Sequence, residues 1–193
     1  MLEDQRLLRR LRAGDKDALR RIYEKYIDDL LRVALSLLSD VQAAEDCLHD
    51  VFVDLAGAAE GLVIRSNLKS YLVSCAANRA RDQLRKKTRQ SRCQLKQLCS
   101  PPNSNSPAKQ LADAEEAARV FDALAELPYQ QREVFVLHVQ GGMRFRGIAG
   151  LLGISINSVQ SRYRYAIAKL RAILDEEPNE LRRDRTVSKE SVD

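Results

Sequence analysis

RFRGIAGLLGISINSVQSRYRYAIAKLR, residues 144–171, is the stretch on which the fold turns. Ala149 permits close approach of two helices, Gly153 four residues later supplies the turn, and Val159 six residues further on packs the second helix onto the first. Ser155 is placed to cap that second helix. The side chains left outside, Asn157, Ser158, Gln160, Ser161, Arg162, Arg164, Tyr165 and Lys169, are types that read base edges and grip phosphates in a major groove. A purely structural helical hairpin shares the spacing, but it has no need of six basic residues and no acid, which is what this stretch holds.

Working outward, helical periodicity resumes from Leu111, Pro128 opens a helix from Tyr129 to Val139, and Gly141-Gly142 ends it. Upstream, TRQSRCQLKQLCSPPNSNSPAKQ at 88–110 loses the apolar pattern, and Pro101-Pro102 forbids a continuous helix, so it reads as a linker. The N-terminal half is helical throughout. From an N-cap at Asp15, the residues Leu19, Ile22, Tyr23, Tyr26, Leu30, Val33 and Leu37 trace one stripe. A second helix starts at Ser39 or Asp40 and turns Ala44, Leu48, Val51, Phe52 and Leu55 to the core, leaving Glu45, Asp46, His49, Asp50 and Asp54 as an acidic surface. A third starts at Asn67, buries Leu68, Tyr71, Leu72, Cys75 and Ala76, and carries Ser74, Asn78, Arg81, Asp82 and Arg85 on its polar face. The tail from Asp175 has too little apolar surface to repay ordering and is expected to be disordered.

The fold class is therefore all-α: two small helical domains joined by a flexible linker. Hydrophobic residues at 45% suffice for two modest cores. Charge is unevenly spread: residues 67–96 hold nine Lys or Arg against Asp82 alone, so with the 144–171 segment also basic and only +5 overall, the rest is net acidic. Two confined cationic segments point to nucleic acid. The start of the chain has no apolar leader, and no apolar run is long enough for a bilayer, so membrane insertion is not expected and a cytoplasmic location is. Cys47, Cys75, Cys93 and Cys99 form no CxxC pair and read as free thiols.

AEDCLHDVFVDL at 44–55, NLKSYLVSCAANRARDQLRKK at 67–87, and LAELPYQQREVFVLHVQGGMRFRGIAGLLGIS at 124–155 with SRYRYAIAKLR at 161–171 together resemble an extracytoplasmic-function sigma factor of the sigma-70 family. The resemblance implies region 2 over 1–88, a linker over 89–110, the region 4 helix-turn-helix over 111–174 and a tail over 175–193. It implies bacterial core RNA polymerase and promoter DNA as partners, an anti-sigma factor as a further one, association with the nucleoid when bound to polymerase, no cofactor and no enzymatic activity. Asp46, His49, Asp50 and Phe52 lie on the helix that docks on polymerase in similar proteins, with His49 where the family usually has Gln. Asn78, Arg81, Asp82 and Arg85, with the loop from Glu60 to Asn67, stand where such factors engage the minus-ten element and capture a flipped base. The recognition helix stands where they read the minus-thirty-five duplex, with Asn157 in place of a frequent Gly and Gln160 in place of a frequent basic residue. Tyr71 replaces a common Trp but lies on the apolar stripe and is read as core.

Three other classes fit less. An operator-binding regulator shares the helix-turn-helix but leaves the 67–96 segment unexplained. A helical carboxylate metal site would draw on Glu45, Asp46, His49 and Asp50, yet such sites need Glu-x-x-His on two helices, and here Glu45 and His49 are four apart on one. An interaction adaptor would not need the basic stripes.

Overall fold

In the computed structural model, which describes residues 2–62, 64, 67–94 and 113–175, the chain is helical, with no strand among the described residues. Helix α1 (Leu2–Arg12) is followed by α2 (Lys16–Leu38), whose start is fixed by the Asp15 carboxylate accepting from the Asp17 N–H at 2.9 Å. The helix stops where Ser39 turns left-handed (φ 52°) and donates its N–H to the Leu35 carbonyl at 2.8 Å. Asp40 then caps α3 (Val41–Gly57) by accepting from the Ala43 N–H at 3.0 Å. After a single 3-10 turn over Ala59–Gly61, Asn67 accepts from the Ser70 N–H at 2.7 Å and starts α4 (Leu68–Gln94). The second half holds α5 (Asp113–Ala125), α6 (Tyr129–Val139) behind Pro128, α7 (Phe145–Leu152) and α8 (Ile156–Asp175).

The spine is α2. Ile22, Leu30, Val33, Ala34 and Leu37 are fully buried along it, because α1, α3 and α4 pack on it from the N-terminal half and α5 and α6 from the C-terminal half. One hydrophobic cluster therefore runs through both halves, from Leu7 and Leu8 of α1 to Leu170 of α8. Within the C-terminal half, α8 closes over α5, α6 and α7.

The helix starts follow the capping residues read from the sequence, while three features differ. Tyr23 is 46% exposed, because it sits at the edge of the α2 stripe and rests its ring on Phe52 instead of entering the core. Helix α4 buries Val73, Ala77 and Ala80 beyond its expected stripe, because α2, α3 and α6 all pack on it. It also runs past the expected domain boundary at residue 88 to Gln94: nothing in 88–94 breaks a helix, and the Thr88 hydroxyl donates to the Leu84 carbonyl at 2.9 Å. The remainder of the expected linker, the tail beyond Asp175 and the side chains of Cys93 and Cys99 lie outside the described residues. Cys47 is buried, donates to the Ala76 carbonyl, and has its thiol pushed up to about 11 by desolvation.

Asp40 combines the α3 cap with an ion pair to Lys87 of α4 at 2.9 Å. The Ala43 N–H first, and Lys87 second, hold its carboxyl below the ordinary value. Its contribution is thus present above the unfolded carboxylate pKa, about 3.9, and is lost as pH falls through the lower folded one. Asp40→Ala should lower stability by about 1 kcal/mol at neutral pH, with the difference vanishing in acid, as read from urea midpoints across pH.

Candidate nucleic-acid interface

The turn between α7 and α8 rests on Gly153, whose left-handed backbone (φ 66°) folds the Ile154 N–H back to the Ala149 carbonyl at 3.2 Å. Ser155 then accepts from the Ser158 N–H at 3.0 Å and starts α8. Val159 of α8 and Ile148 and Ala149 of α7 are buried where the two helices pack, so the spacing Ala149, Gly153, Val159 forms the helix-turn-helix read from sequence. An aromatic cluster fixes α8 on α6 and α7. His138 stacks on Phe145 with centroids 4.3 Å apart and meets Tyr163 edge-on at 5.0 Å, while its Nδ1, 2.8 Å from the Met143 carbonyl, donates to it.

On the outer side of α8, Asn157, Ser158, Gln160, Arg164, Tyr165 and Lys169 are exposed, and Ser161 and Arg162 are half-buried. Tyr165 is 65% exposed. Ser158 shares its hydroxyl with the Ser155 cap at 2.9 Å, and Lys169 donates to the Glu126 carbonyl at 2.8 Å, so these two are already engaged. Asn157, Gln160 and Tyr165 form a face of hydrogen-bonding side chains suited to base edges.

The polar face of α4 keeps Asn78, Asp82 and Arg85 in solvent. Arg81 differs. Its Nε and Nη2 donate to one carboxylate oxygen of Glu133 on α6 at 3.1 and 2.8 Å, and its Nη1 donates to Asn78 at 3.1 Å. The loop before α4 falls partly outside the described residues, with Leu62 buried and Ile64 packed against the core.

On α3, Asp46 and His49 are exposed and Asp50 is half-buried. Arg79 of α4 bridges Asp50 at 3.6 Å and Asp54 at 2.6 Å, which holds the acidic face against the basic helix. Phe52 faces the core, 8% exposed, with its ring 4.8 Å from that of Tyr23. Tyr23 and Val53, at 46% and 54% exposure, supply the apolar part of that surface. Glu45, Asp46, His49 and Asp50 do not converge: no group of three or more His, Cys, Asp or Glu able to hold a metal occurs among the described residues.

The residues that sequence reasoning passed over are Tyr129, Arg132 and Glu133. Glu133 was detectable in part, because a carboxylate one turn before Leu137 and one turn after Tyr129 interrupts an apolar face. Its partner Arg81, 52 residues away, gave no local signal.

A helix-turn-helix with an open polar recognition face, coupled to a second helical unit carrying its own cationic polar helix, has the make-up of a DNA-binding transcription factor. The sigma-70 region 2 family matches residues 22–90 and the sigma-70 region 4 family matches residues 117–170. The chain belongs to the sigma-70 family, as a factor of the extracytoplasmic-function type. It is 28% identical over 163 residues to "Probable RNA polymerase sigma factor RfaY" of Xanthomonas campestris pv. campestris, covering 82% of this chain but only 41% of that protein. With "ECF RNA polymerase sigma factor SigK" of Mycobacterium ulcerans it shares 24% identity over 88% of this chain and 92% of that one. Among solved structures, CnrH in complex with the cytosolic domain of CnrY superposes with a TM-score of 0.67 at 25% identity, covering 91% of this chain and 99% of that one.

An alanine at 153 must take up a left-handed backbone. Gly153→Ala should cost about 1 kcal/mol, the strain being partly offset by a less flexible unfolded chain. Urea denaturation followed by circular dichroism measures it directly.

Proposed function

We propose that this chain binds bacterial core RNA polymerase through α3 and directs it to promoters, reading the minus-thirty-five duplex with α8 and the melted minus-ten strand with α4. The observation that carries the reading is the pairing of two cationic polar faces, each mounted on a well-packed helix, with a separate acidic and apolar face on α3. Asp46, His49 and Asp50 supply polymerase contacts, with Phe52 placed beneath them to set the position of Tyr23. Asn157, Gln160, Ser161, Arg162, Arg164, Tyr165 and Lys169 supply groove and phosphate contacts, and Ser158 holds the helix start. Asn78, Arg81, Asp82 and Arg85 supply the single-strand contacts, where melting requires a site that favours unpaired strand over duplex. Residues 1–88 act as region 2, 89–110 as linker, 111–174 as region 4 and 175–193 as tail.

The role is regulatory and not enzymatic, in the cytoplasm and on the nucleoid when bound to polymerase. No helix among the described residues is long and apolar enough to cross a membrane. An anti-sigma partner is part of this reading, and CnrH was itself solved in complex with a protein domain, the cytosolic domain of CnrY. Polymerase fixes the spacing of the two DNA-binding faces, so that binding at one element raises the effective concentration at the other.

Run-off transcription from a pool of random promoter fragments tests the reading: defined start sites should depend on adding the protein to purified core polymerase. Retention of duplex fragments by the protein alone, without any start sites, would make it an operator-binding regulator. In the same system Asp82→Ala and Arg85→Ala should impair strand opening, seen by permanganate, more than duplex recruitment. Gln160→Ala should cost about 1–3 kcal/mol at one base pair, whereas an equal loss on all promoter variants would mark a phosphate contact.

A further inference from the structure

Glu133 is the one charged side chain among the buried residues of the described chain, 4% exposed. A buried carboxylate persists only with charge-assisted partners, and Glu133 has three bonds to one oxygen: Arg81 Nε at 3.1 Å, Arg81 Nη2 at 2.8 Å and the Tyr129 hydroxyl at 3.1 Å. Two of these cross from the C-terminal half to the N-terminal half. The surrounding seam is tight and small-featured. A Cβ on Gly141 would stand 2.8 Å from Val73 Cγ1 of α4, and Arg132 reaches Ser39 at the end of α2 at 3.1 Å.

We propose that the free chain is held shut by an intramolecular latch, in which Glu133 of α6 occupies Arg81 of α4 and so withholds that guanidinium from DNA. The consequence for DNA rests on the reading of Arg81 given above, whereas the latch itself rests on the seam. Within α4, Arg81 also donates to the side-chain oxygen of Asn78, which stays exposed, so the latch holds Arg81 and leaves Asn78 open. The two proposed DNA-reading helices are drawn together: Arg81, Arg85 and Arg89 of α4 and Arg162 of α8 line one cleft, in which Glu133 is the sole carboxylate among the described lining residues. Such a cleft is primed to exchange its internal anion for an external one, because each phosphate that enters meets several guanidiniums and competes directly with Glu133. Exchanging this ion pair for two hydrated ions is nearly balanced, so what opening must compensate is the apolar seam, whereas removing the Glu133 charge alone leaves Arg81 unpaired at the seam and favours the open form.

The test uses the full-length chain without polymerase. Its radius of gyration is measured by small-angle X-ray scattering, and its affinity for a fluorescein-labelled random-sequence single-stranded oligonucleotide by anisotropy. Glu133→Gln keeps the shape and removes the charge. It should expand the chain and tighten oligonucleotide binding about tenfold, with no such gain in an Arg81→Ala background. Tyr129→Phe, which removes one of the three bonds, should shift both readouts the same way by less, and decides the matter if circular dichroism shows Glu133→Gln to be unfolded. Scattering that is the same for the wild type and both variants overturns the latch. Expansion without any gain in oligonucleotide binding supports the latch and overturns instead the assignment of Arg81 to DNA.

Discussion

Burial of α2 from both halves of the chain is the constraint on which everything else depends. A helix with Ile22, Leu30, Val33 and Leu37 all removed from water needs apolar partners on more than one side. Helices α3 and α4 cover part of it, and α5 and α6 cover more, so the two halves share a core while each keeps a polar helix face on the outside. Burying a side chain of this size contributes roughly 1.5–3 kcal/mol, enough that separating the halves must be compensated by another surface. In a protein that works by engaging a large partner, that exposure has an obvious use.

Electrostatics then divides the surface that the core leaves free. The acids of α3 and the cations of α4 lie on adjacent helices, and Arg79 joins them through Asp50 and Asp54. These are solvent-exposed pairs of modest worth, and their value is in orientation more than stability. They fix the angle at which the acidic face leaves the bundle, while Asp40 and Lys87 tie the far end of α4 to the start of α3. On the proposed reading, the acidic face serves a protein partner and the two cationic faces serve nucleic acid, all mounted on helices that the core packs together.

Much of this was legible in the chain because its determinants are local. Asp15, Asp40, Asn67, Ser155 and Gly153 each act within a few residues of where they stand, through a cap or a left-handed turn, so sequence spacing carries the information. The face of α8 followed from periodicity for the same reason. What could not be read were the consequences of how the other helices pack around α4. The second buried stripe of Val73, Ala77 and Ala80 looks from sequence like tolerated small residues on a polar helix, and the persistence of α4 to Gln94 is hidden by loss of an apolar pattern that helix geometry does not require. Arg81 reads as a solvent-facing cation until Glu133 is placed beside it, and only the tertiary fold does that.

The chemistry chosen for that seam is informative in itself. An apolar pair of similar volume would hold the halves together at least as well, since desolvating a carboxylate and a guanidinium offsets most of their attraction. It would not distinguish an open chain in water from a closed one by charge, and it would offer nothing for a phosphate to displace. A buried Glu133 is stable only while Arg81 and Tyr129 are present, and an Arg81 released from it is a free cation at the centre of a basic cleft. The same guanidinium thus serves the closed chain as the counter-ion of a core carboxylate and the open chain as a ligand for polyanion. Because it cannot satisfy both at once, the state of the seam and the availability of the DNA-facing surface of α4 are linked by a single side chain.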